Sequence, residues 1–340
     1  MANPVLVELT RGDLVESVHR GAIAIADRNG PRLAIGDVEL PIYPRSSLKP
    51  IQALPLVESG AAEAFGLGDD AIALACASHS GEPMHTERVA AWLSRIELSE
   101  SDLACGAHPP RYDPVWQAMI KRGEKPTRIH NNCSGKHTGF LTVARHWGIA
   151  TKGYEHVDHP VQQAVAAALR ALTGLHELPW GVDGCTAPNF ALPLSACARA
   201  FAQFADPKGL PDERRHATAR IVHAMTAQPE LVSGTGRSCA VLMRAAKGRA
   251  AVKAGAEGYY AAIVPERGLG IALKIDDGTG RASETAIAFV LEALGLLGDD
   301  AAATTQAHGP VLNTRAEKVG ERRPSPALAE FGARLKTLTQ

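Results

Sequence analysis

Tyr43-Pro44-Arg45-Ser46-Ser47-Leu48-Lys49-Pro50 is the stretch where this 340-residue sequence changes from strand-like to helix-like patterns. Apolar residues recur at helical spacing from here, at Leu48, Ile51, Leu54 and Val57. Pro50 fits the first turn of a helix, where a missing N–H costs little. The stretch therefore predicts a helix that begins here, with Ser46 at or near its N-terminus.

Runs typical of strands lie on both sides of a long helical segment. The N-terminal runs cover residues 5–9, 14–26, 32–35 and 38–42, with a hairpin turn predicted at Asp27-Arg28-Asn29-Gly30. The C-terminal runs cover residues 239–245, 250–253, 259–264 and 269–275, followed by a helix over 282–297. Helical patterns between them cover residues 86–96, 159–172, 191–204 and 214–225.

This order predicts an α/β fold of the α+β type. We expect an antiparallel sheet built from the N- and C-terminal strands, flanked by helices, with a mainly helical inserted region. The expected organisation is a single domain over residues 1–320, with a sheet part at 1–45 and 238–300 and a helical part at 46–237. Residues 321–340 are expected to form a weakly ordered tail.

The composition favours small-molecule chemistry. Lys plus Arg and Asp plus Glu number 36 each, so net charge offers no attraction for nucleic acid or for an anionic membrane. No apolar run is long enough to predict a membrane-spanning helix. The first residues lack the pattern of a secretory signal, so we expect a cytoplasmic protein whose six cysteines are reduced.

Ser46 and Lys49 form an S-x-x-K pattern with catalytic potential. Residues three apart on a helix share a face, so the lysine can reach the serine hydroxyl. A serine is a weak nucleophile until a base removes its proton, and a lysine becomes a base when desolvation or a helix N-terminus lowers its pKa from about 10.4. The alternative is a helix cap followed by a solvated lysine.

Further polar segments extend this pattern. Loops at 75–83, 131–139, 183–188 and 233–237 are rich in small and polar residues, and the last ends in Arg237, whose guanidinium could bind a carboxylate. S-x-x-K, then Ser78, then Lys253-Ala254-Gly255 on a late strand is the chain order of penicillin-recognising serine enzymes. Those enzymes have Thr where Ala254 stands.

Together these motifs resemble the Rhizobium-type L-asparaginase family, also called class 3 or thermolabile-like, over roughly residues 5–320. The segments that carry the resemblance are Pro44–Lys49, Cys76–Glu82, Asn132–His137, Asp183–Cys185, Lys253–Gly258 and Gly270–Gly278. The resemblance implies a serine β-lactamase/glutaminase-like fold, a homodimer, and hydrolysis of L-asparagine to L-aspartate and ammonia.

The resemblance also assigns roles to single residues. It implies two Ser–Lys tandems, Ser46 with Lys49 and Ser78 with Lys253. It further implies a Zn²⁺ site with a role in substrate binding, in which the ligands are Cys133, Lys136 and Cys185 and the carboxylate of Asp183 lies close by. Residue spacing does not predict this site, since common zinc sites use Cys, His and carboxylates. The alternative is that Cys133 and Cys185 are merely buried thiols.

The expected reaction is nucleophilic. Lys49 takes the proton of Ser46, which attacks the side-chain amide, and water hydrolyses the acyl-enzyme. Backbone N–H groups near Ser46 or around Gly255 are expected to stabilise the oxyanion. Arg45, His137 and Arg237 are expected to orient the substrate carboxylate or the Ser–Lys network. The alternatives are a glutaminase or other amidohydrolase of the same fold, a zinc-dependent hydrolase, and a non-catalytic amino-acid or zinc-binding protein.

Overall fold

The computed structural model describes residues 2–339 and divides the chain into two compact units. Met1–Ser47, Leu192–Asp206 and Val241–Gln340 form one, here called the sheet unit. Leu48–Ala191 and Pro207–Ala240 form the other, the helical unit. This division differs from the predicted helical part at 46–237, because residues 192–206 belong to the sheet unit.

Groups of strands alternate with groups of helices along the described residues. The strands are β1 (Val5–Arg11), β2 (Leu14–Asp27), β3 (Gly30–Ile35), β4 (Trp180–Val182), β5 (Pro188–Phe190), β6 (Ala251–Ala254), β7 (Tyr259–Val264), β8 (Leu269–Ile275), β9 (Pro310–Leu312) and β10 (Lys318–Pro324). The α-helices are α1 (Lys49–Gln52), α2 (Leu54–Glu58), α3 (Ala61–Ala64), α4 (Asp69–Ala75), α5 (Pro83–Arg95), α6 (Asp113–Arg122), α7 (Ser134–His146), α8 (Pro160–Thr173), α9 (Leu194–Ala205), α10 (Asp212–Ala227), α11 (Pro229–Ser233), α12 (Ser238–Ala246), α13 (Gly280–Ala293), α14 (Ala301–His308) and α15 (Pro326–Thr339).

The sheet unit is built around an antiparallel sheet in the order β6-β7-β8-β2-β1-β10-β9, with β3 also pairing with β2. The long strand β2 organises it, since residues 14–20 pair with β1 and residues 21–27 pair with β8 and β3. Strands from both ends of the sequence therefore meet in one sheet. The predicted fold class, an antiparallel sheet of N- and C-terminal strands with a mainly helical insertion, is confirmed.

Helices cover both faces of this sheet. Every residue of β7 is buried, and neighbouring residues of a strand face opposite sides, so both faces must be packed. Helices α9 and α13 each contact β7 and β8. The approach of α9 is close enough that a Cβ on Gly270 would collide with the backbone of α9 at Ala198. The small residue at 270 is what allows this contact.

Two predicted strands are wrong. Residues 239–245 lie in helix α12, because their run of Ala, Val, Leu and Met suits a helix as well as a strand, and a short apolar run has no distinguishing period. Residues 38–42 form no strand; a single bridge links Ile42 to Leu192.

The weak order predicted for residues 321–340 is also wrong over the described part of that range. Strand β10 pairs with β1, and α15 buries Leu328, Phe331 and Leu335 at helical spacing. The sequence did not predict this helix, because its three buried apolar residues stand among many polar ones. Gln340 lies outside the described residues.

The helical unit is organised around α7. All residues from Ser134 to Ala144 are buried, and α7 contacts α2, α3, α4, α5 and α8. Gly135 allows one of these contacts, since a Cβ there would collide with the carbonyl of Leu74 in α4. The β4–β5 hairpin carries the loop at 183–187. Across both units, no helix of residues 2–339 is long and apolar enough to cross a membrane.

Candidate active site

Lys49, the first residue of α1, is almost completely buried in the helical unit. Its ammonium donates hydrogen bonds to the Ala77 carbonyl, to Ser78 Oγ at 3.0 Å and to Cys133 Sγ at 3.2 Å. Burial lowers the pKa of Lys49, and the charge of Lys136 lowers it further, whereas Cys133 opposes both effects. A lysine in this setting is easier to deprotonate than one in water.

Ser78 follows α4 in a loop that is fixed through its backbone. Its N–H donates to the Val232 carbonyl over 2.9 Å, and the next residue, His79, donates to the Asn132 carbonyl over 3.2 Å. The hydroxyl of Ser78 is therefore held against Lys49 rather than placed on a free loop. The structure brings these two predicted catalytic residues together.

The predicted tandems pair these residues differently. Ser46 and Lys253 belong to the sheet unit, whereas Lys49 and Ser78 belong to the helical unit. Each predicted tandem, Ser46 with Lys49 and Ser78 with Lys253, thus has one member in each unit. Both pairings stay predictions, and the Lys49–Ser78 hydrogen bond is a contact that the sequence did not indicate.

The predicted metal ligands converge at the N-terminus of α7. Cys133 immediately precedes the helix, and Lys136 lies in its first turn with its Nζ 3.1 Å from Cys185 Sγ. Cys185 lies in the β4–β5 loop and shares a hydrogen bond with Cys133. The bond from Cys133 and the charge of Lys136 lower the pKa of Cys185 to about 5, and the same bond raises the pKa of Cys133 to about 12. The hydrogen bond from Cys133 and the charge of Lys136 thus favour a thiolate on Cys185.

These three side chains fit a zinc ion by the chemistry of their donors. Thiolate sulfur is a preferred zinc ligand, and two sulfurs and one nitrogen converge here. Burial disfavours the charge of Lys136, but the cysteines outweigh burial and raise its pKa, so this lysine must lose a proton before it can bind a metal. Asp183 accepts a hydrogen bond from the Cys185 N–H at 3.3 Å. Among residues 2–339, no cluster of three or more His, Cys, Asp or Glu side chains could hold a metal.

Glu82 joins two loops of the helical unit. Its carboxylate accepts hydrogen bonds from Ser80 Oγ at 2.5 Å, from the Thr235 N–H at 2.9 Å and from Thr235 Oγ at 2.6 Å. Gly234 permits this approach, because a Cβ there would overlap Ser80 Oγ. The loop of the predicted substrate-binding residue Arg237 is therefore fixed against the segment that follows Ser78.

His137 is fully buried in the first turn of α7. Its Nδ1 lies 2.6 Å from Tyr154 Oη, which itself accepts a hydrogen bond from the Ala104 N–H. The tyrosine hydroxyl thus links the histidine ring to the backbone at Ala104. Burial and the adjacent charge of Lys136 lower the pKa of His137 to about 3, which keeps the ring neutral. This geometry favours a role for His137 in supporting the N-terminal turn of α7. The predicted contact of His137 with the substrate stays a prediction.

The remaining predicted residues lie in the sheet unit, where a turn packs on strand β6. Ser46 is half-buried in the 3₁₀ turn Arg45–Leu48, and Ser47 Oγ donates to the Lys253 carbonyl over 2.8 Å. Lys253 is buried, and its Nζ donates to the Ala254 carbonyl. Arg45 has a φ of 54°, a strained conformation for a residue with a Cβ. The N–H of Gly255 donates to the Tyr259 carbonyl, and the oxyanion donors expected near Ser46 or around Gly255 stay a prediction.

Two residues of the site were not assigned from the sequence. Glu82 lies in the loop at 75–83 but had no predicted role, and Tyr154 had only its position near the N-terminus of α8 as a signal. Their importance comes from contacts between loops distant in sequence, which periodicity does not reveal.

Comparison with known proteins identifies the family. A search of curated proteins found no match. Similar solved structures include a β-lactamase from Mycobacterium bovis, with 14% identity over 77% of this chain and 89% of that chain and a TM-score of 0.41. They also include simvastatin synthase from Aspergillus terreus, with 11% identity over 84% and 94% and a TM-score of 0.40. At such scores these structures have no bearing on the reaction.

The sequence-family comparison is decisive, because it spans nearly the whole chain. The model of the family described as L-asparaginase II matches residues 7–324. That range contains every predicted catalytic, substrate-binding and metal-binding residue. The chain is a member of the L-asparaginase II family.

Proposed function

We propose that this protein is an L-asparaginase that hydrolyses L-asparagine to L-aspartate and ammonia through a Ser–Lys nucleophilic mechanism. Membership of the L-asparaginase II family supports an asparaginase-type amidohydrolase. The observation that carries the mechanism is the hydrogen bond of 3.0 Å between Lys49 Nζ and Ser78 Oγ. A buried lysine hydrogen-bonded to a serine hydroxyl can exchange protons through it, so this contact supports Lys49 as the base and Ser78 as its proton relay.

The proposed nucleophile is Ser46, the first residue of the S-x-x-K pattern. Neutral Lys49 accepts its proton as Ser46 Oγ bonds to the side-chain amide carbon of L-asparagine. The C–N bond then breaks, the leaving nitrogen takes a proton as ammonia, and an aspartyl ester remains on Ser46. Water attacks this ester, and L-aspartate leaves with Ser46 restored.

Ser78 has the role of a proton relay in this scheme. Its hydroxyl bonds Lys49, so it can pass the proton from the lysine toward the leaving nitrogen. Lys253 is the proposed partner of Ser78 in a second tandem. It is a buried residue of the strand β6, and its segment holds the turn that carries Ser46 through the Ser47 hydroxyl.

Cys133, Lys136 and Cys185 are the residues proposed to hold Zn²⁺, with Asp183 in support. A bound zinc ion would supply positive charge that favours binding of an anionic substrate. Lys136 and Asp183 also act on Cys185 directly. Lys136 balances the Cys185 thiolate, and Asp183 fixes the Cys185 N–H within its loop. A homodimer, which the family resemblance implies, and a cytoplasmic location complete the proposal.

An assay of ammonia and L-aspartate release tests this function. Purified protein is incubated with L-asparagine and separately with L-glutamine, which carries the same amide on a side chain longer by one CH₂. The proposal expects equal amounts of ammonia and L-aspartate from L-asparagine, at a kcat/KM at least about 10-fold above that for L-glutamine. Preference for L-glutamine would make the protein a glutaminase. Zinc binding without ammonia release would make it a binding protein.

A further inference from the structure

Arg111 and Arg237 are two cations of the helical unit without a carboxylate partner. Both are exposed residues in loops, and within residues 2–339 neither guanidinium makes a hydrogen bond or an ion pair. Many other arginines of the chain are paired with carboxylates, as Arg214 is with Glu58. Two unpaired guanidiniums that lie close together repel each other, so such an arrangement favours binding of an anion.

The backbone places the two arginines on either side of one segment. The Arg111 N–H donates to the Ser80 carbonyl over 2.8 Å, and a Cβ on Gly81 would lie 3.2 Å from Pro110 Cα. On the other side, Glu82 holds Thr235 by two hydrogen bonds, two residues before Arg237. The loops of both arginines are therefore fixed on residues 80–82, directly after Ser78.

The two guanidiniums are also near enough to interact electrostatically. The Arg111 side chain reaches solvent, yet part of it is packed against protein. This partial burial lowers the pKa of Arg111, and the positive charge of Arg237 lowers it further. Arg111 also interacts electrostatically with the Cys133 thiol and with the imidazole of His79. Cys133 is a hydrogen-bond partner of Lys49, so Arg111 lies within electrostatic range of a residue that contacts the proposed catalytic lysine.

The nearby negative charge of Glu82 does not neutralise the pair. Its carboxylate is engaged by Ser80 and Thr235, and it makes no ion pair with either arginine among the described residues. The local charge near Ser80 is thus positive. Two planar guanidiniums held by separate loops can together donate several N–H bonds to one carboxylate.

We infer that Arg111 and Arg237 form a carboxylate clamp that binds the α-carboxylate of the amino-acid substrate. This inference rests on the proposed function for the identity of the ligand and adds Arg111 to the substrate-binding residues. The clamp holds the α-carboxylate, so the side-chain amide is the part of L-asparagine left to react. Such contacts act equally on the substrate and on the transition state, so their loss raises KM more than it lowers kcat.

Calorimetric binding of two ligands tests the clamp. L-aspartate carries the α-carboxylate, and β-alanine is L-aspartate without it. The Arg111→Met and Arg237→Met variants should each weaken L-aspartate binding by about 10- to 100-fold and change β-alanine binding less than 2-fold. Arg111→Lys should retain part of the affinity. Arg122→Met, at an exposed arginine of α6 paired with Glu124, is the matched control and should behave as wild type.

The outcomes separate the clamp from the proposed function. Wild-type protein that binds L-aspartate through Arg111 but releases no ammonia would support the clamp and overturn the asparaginase proposal. Ammonia release with an unchanged KM and unchanged L-aspartate affinity in Arg111→Met would overturn the clamp alone. Equal losses for L-aspartate and β-alanine would also overturn it, since a structural role predicts them. Circular dichroism and thermal unfolding confirm that each variant is folded.

Discussion

The Lys49 ammonium donates a hydrogen bond of 3.0 Å to the hydroxyl of Ser78 and one of 3.2 Å to the sulfur of Cys133. One buried lysine therefore joins a predicted catalytic serine to a predicted zinc ligand. The proposed catalytic and metal-binding functions are physically coupled within the helical unit. A change at Lys49 should affect both.

The Lys49→Met variant should lose at least about 10³-fold in kcat, since methionine cannot accept a proton from a serine. Its melting temperature should change little, because a thioether of similar length removes the cost of burying a charge. Steady-state ammonia release and calorimetry measure the two effects. Lys121→Met, at an exposed lysine of α6, is the control and should keep full activity. More than a tenth of the wild-type kcat in Lys49→Met would exclude Lys49 as the base.

The Glu82→Gln variant should lower the unfolding free energy by about 1–3 kcal/mol at pH 7. A neutral amide accepts the hydrogen bonds from Ser80 and Thr235 more weakly than the Glu82 carboxylate does. Burial alone would raise the pKa of Glu82, but hydrogen bonds from Ser80 and Thr235 outweigh it and lower the pKa below 4.5. Because the pKa of Glu82 is lower in the folded protein, its ionised carboxylate stabilises the fold above pH 4.5. This stabilisation is lost as the pH falls through the folded-state pKa. The difference between wild type and variant should therefore shrink toward pH 3.

Urea unfolding at pH 7, 5 and 3 checks this dependence on pH. Glu87→Gln, at an exposed position of α5, is the matched control and should follow the wild-type curve. A difference in unfolding free energy that stays constant across these pH values would show that the Glu82 charge makes no contribution.

The Gly255→Ala variant should lower the unfolding free energy by about 1–3 kcal/mol, because the new Cβ would crowd the Pro44 carbonyl and lie 3.0 Å from Ser47 Oγ. Activity should fall with it, since the turn beside Gly255 carries Ser46. Urea unfolding and ammonia release measure these effects. Gly280→Ala, where a Cβ meets open space, is the control. Equal midpoints for the two variants would contradict the close packing of the Ser46 turn on β6.

The Cys185→Ala variant should bind zinc at least about 10-fold more weakly than wild type, because it removes the thiolate of the donor set. Zinc content after dialysis, measured by plasma mass spectrometry, checks this independently of activity. Cys197→Ala removes a buried cysteine of the sheet unit and should keep one zinc ion per chain. Full zinc content in Cys185→Ala, or none in the wild type at saturating zinc, would contradict the zinc site.

Much of the architecture was predictable from local patterns. The N-terminal meander follows from apolar runs broken at Asn29-Gly30, and helices such as α8 follow from apolar residues at a 3.6 period. Helix α12 was not predictable, because no polar residue interrupts its apolar run at helical spacing until Arg244. Helix α15 was missed because three buried residues sit among many polar ones.

The site was predictable in its residues but not in its contacts. Lys49 and Ser78 were named from motifs and Cys133 from the family resemblance, yet the hydrogen bonds from Lys49 to the other two depend on the packing of α1, α4 and α7. The Arg111 position had no signal, because its role depends on a backbone hydrogen bond to Ser80, a residue 31 positions earlier. Loop residues of this kind are placed by tertiary structure alone.

Rapid-quench mass spectrometry of the enzyme with L-asparagine tests the central claim most directly, since it identifies the residue that carries the acyl group. The account predicts an aspartyl ester on the peptide that contains Ser46 in the wild type and in Ser78→Ala, and no ester and no turnover in a folded Ser46→Ala variant. An ester on the Ser78 peptide, or asparaginase turnover by Ser46→Ala, would contradict it.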